Sequence, residues 1–166
     1  MTTRATNIVS KLLANSTNLE LVKELVAEDA TYISLNYNNP ELKGIEPWCG
    51  NHNQAGPATI HQTFVDVSRY WTIEKFDIHA SFGGSNTADV SDRTEHVAIF
   101  GRFVYRSKSI GKLTDSPFAV WAKVDMAEGK LTYMQFMEDT PRSANSFRSR
   151  GGLSIRVTRR VGRSSW

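Results

Sequence analysis

The residue with the strongest chemical signal in this 166-residue sequence is Glu138, which stands near the end of an otherwise apolar run. Residues 130–139 alternate with the period of a β-strand, and Glu138 shares a face with Phe136. A carboxyl held among apolar groups loses hydration, so its pKa rises toward neutrality and it becomes a candidate acid or base. The alternative is a solvated position at a rim, or an ion pair with an arginine such as Arg102 or Arg106.

Histidine and cysteine give weaker signals. His61 lies beside a helical apolar stripe, where a histidine is a packing residue more often than a catalytic base. The four histidines show no metal-ligand spacing, and neither a metal nor a cofactor is predicted. Cys49 has no second cysteine in this sequence, which excludes an internal disulfide and indicates a reducing, cytoplasmic location. Its thiol is expected to be buried and inert.

Glu138 belongs to a predicted β-hairpin whose strands cover residues 116–125 and 130–139. Large apolar groups occupy both faces of this hairpin, so neither face is suited to water. It must be covered twice, by helices on one side and by a second subunit on the other. We therefore expect a homodimer. The residues expected to contact the second subunit are Ala119, Trp121, Tyr133 and Met137.

The rest of the chain alternates between helical and strand periodicity. The predicted helices cover residues 5–14, a segment from the Thr17–Glu20 capping box to residues 28–29, and a stripe from Pro57 to Trp71. The predicted strands before the hairpin cover residues 30–37, 73–82 and 95–107. A long loop over residues 38–56 contains Trp48, which either caps a cavity mouth or anchors the loop by burying its ring.

The net charge of +3 is unevenly distributed. Seven arginines and no acidic residue follow Pro141, which leaves −4 before it. Residues 1–149 are therefore predicted to form one domain, and residues 150–166 a basic, disordered tail. The tail lacks aromatic interleaving, so no specific nucleic-acid contact is expected. No apolar run is long enough to span a membrane.

Five stretches, taken with their order and spacing, carry a family resemblance. They are VAEDAT at 26–31, GPATIHQTF at 56–64, FGRFVYRS at 100–107, SPFAVWAKV at 116–124 and GKLTYMQFMEDT at 129–140. With these stretches the chain resembles the SnoaL-like branch of the nuclear transport factor two-like superfamily, which also contains ketosteroid isomerase. The resemblance covers about residues 5–148.

The resemblance implies an α+β, cone-shaped fold. Three N-terminal helices would pack on a strongly curved, mostly antiparallel sheet and enclose an apolar pocket. Members typically dimerise through the outer face of the sheet, which agrees with the apolar hairpin. The family's chemistry includes polyketide cyclisation, isomerisation, dehydration and epoxide opening, and its shared device is an acid or base held inside the apolar cone.

The acidic and polar residues that carry these mechanisms in the family are replaced here. Ser34 stands at the position of the isomerase's general base, and Val120 at that of its oxyanion-hole aspartate. Phe136 falls at the last-strand acid of several cyclases and of limonene-epoxide hydrolase. The hydrolase's other polar pair falls at Gly101 and Phe103. None of those mechanisms is carried over.

What remains for catalysis is Glu138, on the pocket-facing parity, and His61, on the helix that backs the pocket. A Glu–His pair across an apolar cavity could relay a proton at neutral pH. Tyr32, Ser34 and Asn36 are expected to line the opposite wall as hydrogen-bond partners. The expected substrate-binding residues are Tyr32, Ser34, Asn36, Trp48, Phe64, Phe103, Phe118, Val120 and Phe136.

The sequence thus predicts a SnoaL-like pocket protein that binds a hydrophobic small molecule, such as a polyketide, terpenoid or steroid-like skeleton. If it is catalytic, it would perform cofactor-free acid–base chemistry as a cyclase, isomerase or dehydratase. The alternative is a non-catalytic ligand-binding or dimerisation scaffold of the same fold. The replacement of the familiar catalytic positions favours that alternative.

Overall fold

A computed structural model describes residues 3–35, 38–85 and 93–149. They form an α+β domain with the elements α1 (Arg4–Ala14), α2 (Leu19–Leu25), β1 (Val26–Ser34), α3 (Pro40–Lys43), β2 (Gly50–His52), α4 (Gly56–Tyr70), β3 (Trp71–Ser85), β4 (Thr94–Ser107), β5 (Leu113–Asp125), β6 (Lys130–Glu138) and α5 (Thr140–Asn145). The predicted tail, residues 150–166, and the candidate site residue Asn36 lie outside the described residues.

The six strands form one sheet in the order β2-β1-β6-β5-β4-β3. Only β1 and β6 pair in parallel among the described strands, so the sheet is mostly antiparallel, as predicted. The pairing of β3 with β4 shifts register twice, once between Ile78 and Ala80. Such a shift bends a sheet. Gly101 lies opposite this bend, where a Cβ atom would overlap the carbonyl of Asp77 and the ring of Phe118.

The helices α1, α2 and α4 cover the inner face of the sheet and bury their apolar stripes against it. Fully buried side chains on the helices include Val9, Leu12 and Ile60, and those on the strands include Ile99 and Met134. This burial is the main stabilising contribution to the fold. None of the helices in the described ranges combines the length and apolar character needed to cross a membrane.

The second helix and the first strand differ from the prediction. The cap of α2 is Asn18, whose side chain accepts a hydrogen bond from the Leu21 N–H at 3.2 Å, and not Thr17. The helix ends at Leu25 rather than at residues 28–29. Val26 already pairs with Leu131 of β6, so pairing with a distant strand replaces the expected last turn of helix. Here the contact between two strands outweighs the local helix propensity of these residues.

The segment expected to be a loop, residues 38–56, contains the short helix α3 and the edge strand β2. In β2, His52 pairs with Tyr32 and Gly50 with Ser34. Trp71, expected at the end of the third helix, is instead the first residue of β3 and pairs with Ser107. Both differences come from long-range strand pairing, which local periodicity does not reveal.

The outer face of the sheet carries several exposed apolar side chains. Phe82 is 62% exposed, Phe100 49% and Trp121 38%. Phe100 pairs with Ala119, which in turn pairs with Met137, so these residues lie side by side across three strands. We refer to Phe82, Phe100, Ala119, Trp121 and Met137 as the outer apolar face.

Candidate functional site

Glu138 is the last residue of β6 and lies opposite Phe118 of β5. Its Oε1 atom is buried and has no hydrogen-bond partner among the described residues. The phenols of Tyr32 and Tyr105, which belong to β1 and β4, are close enough to sense its charge. The carboxyl therefore points to the inner side of the sheet, the face on which the alternation placed it.

The carboxyl of Glu138 is held in its neutral form by its surroundings. Its pKa is raised from the ordinary value of 4.5 to about 8, chiefly by burial and then by the negative charge of Glu46. The Ser143 hydroxyl favours the ionised form, and the charge of Asp139 opposes it, both with smaller effects. At neutral pH most of Glu138 is therefore protonated and able to donate a hydrogen bond or a proton.

The space in front of Glu138 is small and mostly aromatic. This inner cavity has a volume of about 30 Å³, enough for roughly one or two water molecules. It is lined by Tyr32, Ser34, Leu35, Trp48, Phe64, Val67, Trp71, Tyr105, Phe136 and Glu138. The inner cavity alone is too small for the hydrophobic ligand predicted from the sequence.

A larger opening adjoins the inner cavity. This outer groove has a volume of about 480 Å³, within the usual size of small-molecule sites. Its walls are Leu13, Ala14, Ser16, Thr17, Phe64, Val67, Ser68, Ile73, Phe76, Ile78 and Tyr105, none of which carries a charge at neutral pH. Phe64, Val67 and Tyr105 belong to both spaces and separate the outer groove from Glu138.

The residues predicted to bind substrate fall into three groups. Five of them line the inner cavity: Tyr32, Ser34, Trp48, Phe64 and Phe136. Three others, Phe103, Phe118 and Val120, are buried core residues that line neither the inner cavity nor the outer groove. The two phenylalanine rings stack on neighbouring rings. The ring centroids of Phe118 and Phe136 are 5.4 Å apart, and those of Phe103 and Tyr105 are 4.2 Å apart. The last, Asn36, is not among the described residues.

Trp48 combines parts of its two predicted roles, the anchor of the loop and the cap of the cavity. Its side chain is buried and packs edge-on against Trp71 at 5.1 Å, so it anchors the segment between α3 and β2. It also lines the inner cavity, so one ring both holds the segment in place and forms part of the cavity wall.

His61 does not join Glu138 in the described structure. Its Nε2 atom lies 3.1 Å from the carbonyl oxygen of Thr17, at the surface where the turn between α1 and α2 meets α4. No described hydrogen bond connects it to Glu138, and it lines neither the inner cavity nor the outer groove. The histidine lies on the flank of α4, while Phe64 and Val67 of the same helix face the cavity. The Glu138–His61 relay therefore has no support from this geometry.

The sequence did not reveal Glu46, which lies close to Glu138. Glu46 is buried, with no exposed surface, in the turn after α3. Its pKa is raised from 4.5 to about 7, chiefly by burial. The Cys49 thiol donates to its Oε2 atom at 3.5 Å, and Cys49 is buried, as was expected. Nothing in the spacing of residues 38–56 distinguishes Glu46 from a surface acid.

Two further features limit the chemistry of the site. Burial raises the pKa of Tyr32 and Tyr105 above the ordinary value, so both phenols stay protonated at neutral pH. In the part of the chain that the structure describes, no three His, Cys, Asp or Glu side chains are grouped so that they could hold a metal ion. The chemical groups at hand are therefore two carboxyls, two phenols and two serine hydroxyls.

The chain matches no family model, but two curated fungal proteins are similar to it. Patulin biosynthesis cluster protein F of Penicillium expansum is 38% identical over 135 residues, which is 81% of this chain and 63% of that protein. Patulin synthesis protein F of Aspergillus clavatus is 37% identical over 129 residues, which is 78% of this chain and 60% of that protein. The chain thus spans about three fifths of the length of these relatives.

Solved structures share the fold at much lower identity. A nuclear transport factor two-like protein from Burkholderia thailandensis aligns with a TM-score of 0.64 at 19% identity, over 89% of this chain and 99% of that one. A candidate SnoaL-like polyketide cyclase from Mesorhizobium loti gives 0.54 at 13%, over 80% and 94%. The BvnE pinacolase of Penicillium brevicompactum gives 0.56 at 9%, over 86% and 90%.

At such identities a structural likeness establishes the fold and nothing more. The chain has the cone-shaped fold of the nuclear transport factor two-like superfamily, in which SnoaL-like and ketosteroid isomerase-like proteins are found. The α+β fold predicted from the sequence is confirmed, and the resemblance to this superfamily is confirmed at the level of the fold.

Proposed function

We propose that this chain is an acid–base enzyme that acts on a neutral, hydrophobic small molecule in the biosynthesis of a metabolite. The reaction class is cyclisation, isomerisation or dehydration without a cofactor. One observation carries the proposal: the protonated carboxyl of Glu138 lies buried behind an apolar groove of ligand size. The names of the two fungal relatives, which place those proteins in patulin synthesis, support a role in metabolite assembly.

Glu138 is suited to the role of general acid. A carboxyl that stays protonated near neutral pH can donate a proton to a developing oxyanion. The low-polarity surroundings strengthen that interaction because little water competes for it. Tyr32 and Tyr105, which line the same cavity, add two neutral hydroxyl groups that could orient a carbonyl or hydroxyl of the substrate.

The lining of the outer groove indicates the class of substrate. Because no wall residue is charged at neutral pH, nothing there would compensate a charged substrate for its loss of hydration. A carboxylate substrate would also be repelled by Glu46 and Glu138 when either is ionised. The groove therefore favours a neutral molecule that is mostly apolar and carries a carbonyl or hydroxyl at its reactive end.

The substrate must pass the residues that separate the two spaces. Phe64 is half-buried and stacks on Tyr32 at 5.9 Å, at the boundary between outer groove and inner cavity. A rotation of its ring about the side-chain torsions would join the two spaces, and such rotations are fast for partly exposed side chains. We propose Phe64 as the side chain that moves when the ligand enters.

The test is a search for turnover without added cofactor. A neutral organic extract is prepared from a Penicillium expansum strain that lacks the cluster protein F, and is incubated with the purified chain. Mass spectrometry then compares the extract before and after incubation. We expect one neutral metabolite to be consumed by the chain. The Glu138→Gln variant should leave it unchanged.

Binding to the outer groove can be tested separately with Ile73→Asp. Ile73 is 53% exposed at the groove, so the substitution places a carboxylate in the wall with little loss of core packing. Burying that carboxylate beside an apolar ligand is costly, and we expect affinity for the neutral dye Nile red to fall at least about tenfold. Fluorescence titration gives the measurement.

The matched control for this variant is Ile110→Asp. Ile110 is 40% exposed in the turn between β4 and β5 and does not line the outer groove. It should bind Nile red as the unchanged chain does. Equal affinity for all three proteins would show that the dye binds elsewhere and would remove the groove from the proposal.

The small inner cavity favours a second candidate function, a non-catalytic ligand-binding scaffold. A volume of about 30 Å³ leaves no room for a substrate beside Glu138 unless Phe64 moves. In that case the outer groove would bind a ligand without transforming it. Nile red binding that depends on Ile73, together with no consumption of any metabolite by the unchanged chain, would support the scaffold over the enzyme.

We also propose that the chain forms a homodimer through the outer apolar face. Exposed aromatic residues lie side by side there, and covering them would remove apolar surface from water. Trp121→Glu places a charge within that surface and is expected to convert a dimer into a monomer. Light scattering at micromolar concentration measures the mass. A dimer mass for Trp121→Glu, or a monomer mass for the unchanged chain, would contradict the proposal. Ile110→Glu serves as the control.

A further inference from the structure

Glu46 is an unusual residue to find without any exposed surface. Its backbone is fixed by two hydrogen bonds, from its own N–H to the carbonyl of Leu42 at 2.7 Å and from the Cys49 N–H to its carbonyl at 3.0 Å. The side chain is thereby turned into the protein instead of toward water. Glutamate is seldom buried completely unless it is paired, because the loss of hydration is costly.

Within residues 3–35, 38–85 and 93–149, no ion pair offsets this burial. The ion pairs among the described residues include neither Glu46 nor Glu138. The Oε1 atoms of both carboxyls are buried and lack a hydrogen-bond partner within the described ranges. Two acids, each with an oxygen left unpartnered, are thus enclosed in the same part of the fold.

Ser143, a fully buried residue of α5, lies near both carboxyls. Its hydroxyl lowers the pKa of both Glu46 and Glu138, and the charge of Glu46 raises the pKa of Glu138. The other titratable groups that face the pair are Tyr32, Cys49, Tyr105, Asp139 and, through Cys49, Lys43. Three separate parts of the chain therefore converge on one acidic cluster: the turn after α3, the end of β6 and α5.

We propose that Glu46 is a positioning residue for Glu138, and that the two carboxyls form a buried pair which shares one proton across the Ser143 hydroxyl. Its catalytic consequence rests on the function proposed above, whereas the pairing itself does not. Two carboxyls so placed cannot easily both be ionised, because each negative charge opposes the other. They lose their protons in two steps that belong to the pair.

Sharing a proton would give the site both an acid and a base. When the shared proton lies on Glu138, this residue can donate it to a substrate, and when the proton lies on Glu46, the Glu138 carboxylate can accept one. The Ser143 hydroxyl has one hydrogen, which it can give to the Thr140 carbonyl at 3.0 Å or to a carboxylate. It can thus turn toward whichever member of the pair is ionised. Isomerisation and cyclisation need a proton to be removed at one atom and returned at another, which such a pair provides.

The pairing is tested by titration of the protein without any substrate. Glutamate labelled with carbon-13 at its side-chain carboxyl is incorporated into the full chain, and the carboxyl resonances are followed by nuclear magnetic resonance between pH 4 and 10. In the unchanged chain we expect two resonances with midpoints far above those of the exposed glutamates. In Glu46→Gln the midpoint of Glu138 should fall by about one pH unit, a tenfold change in its ionisation constant. In Glu138→Gln the midpoint of Glu46 should fall as well.

The control variant is Glu41→Gln. Glu41 is an exposed acid on α3, close in sequence to Glu46, and its replacement should leave both midpoints unchanged. A Glu138 midpoint in Glu46→Gln that stays the same or rises overturns the pairing. If Glu46→Gln does not fold, Ser143→Ala answers the same question: both midpoints should rise together, and movement of only one contradicts the shared hydroxyl. If the two carboxyls titrate as a coupled pair but the chain shows no turnover, the proposed enzyme is contradicted and the pair is supported. If turnover depends on Glu138 but the two carboxyls are not coupled, only the pair is contradicted.

Discussion

Replacement of Glu138 by glutamine is expected to lower turnover by about 10²- to 10⁴-fold. Glutamine has nearly the same shape and can still donate a hydrogen bond, but it cannot release a proton. The variant therefore removes the acid and keeps the packing at the end of β6. The effect should appear in kcat more than in KM, since the outer groove that binds the ligand is unchanged.

The matched control for this variant is Glu128→Gln. Glu128 is exposed in the turn between β5 and β6, so the same chemical change is made far from the cavity. We expect full activity there. Activity in Glu138→Gln within a factor of two of the unchanged chain, with an intact fold, would show that Glu138 is not the acid. The same result would remove the main support for an enzyme.

The second large effect concerns stability as a function of pH. Glu46 and Glu138 have pKa values raised to about 7 and about 8, whereas the ordinary value is 4.5. The folded chain therefore keeps protons that the unfolded chain releases above pH 4.5. By linkage, the stability contributed by the neutral carboxyls is complete below about pH 4.5 and is lost as pH rises through about 7 and 8.

The loss between pH 5.5 and pH 8.5 should amount to a few kcal/mol, since each group costs about 1.4 kcal/mol per pH unit up to its pKa in the folded chain and nothing further above it. For a domain of this size that corresponds to a fall in Tm of the order of 10 °C. Thermal unfolding followed by circular dichroism at a series of pH values gives the measurement. The fall should be clearly smaller in Glu138→Gln and smallest in the double variant with Glu46→Gln. A Tm that is flat or rises over this interval would contradict the buried neutral state of both acids.

Much of the fold was predictable because strand alternation and helical stripes depend only on residues that are close together in the sequence. The hairpin of β5 and β6, the helix that starts near Pro57 and the long strands β3 and β4 all follow such local patterns. The inward direction of Glu138 came from the same alternation. The errors at α2, β2 and Trp71 arose where pairing with a distant strand competed with local propensity.

The candidate site was predictable only in part, for a related reason. A stripe shows which side of a helix is apolar, but it does not show where a residue on its flank will point. His61 lies on that flank and contacts the backbone of Thr17 instead of Glu138. Phe103, Phe118 and Val120 have the correct parity, but they are buried in the core and line neither the inner cavity nor the outer groove.

The periodicity of adjacent residues was enough to predict the main helices and strands, the class of fold and the face on which Glu138 stands. The burial of Glu46 near Glu138, and the position of the ligand-sized space outside the ring of Phe64, came only from the three-dimensional structure. Both results depend on how side chains from several distant segments fill a common volume. That filling is settled by packing in three dimensions, and no local pattern records it.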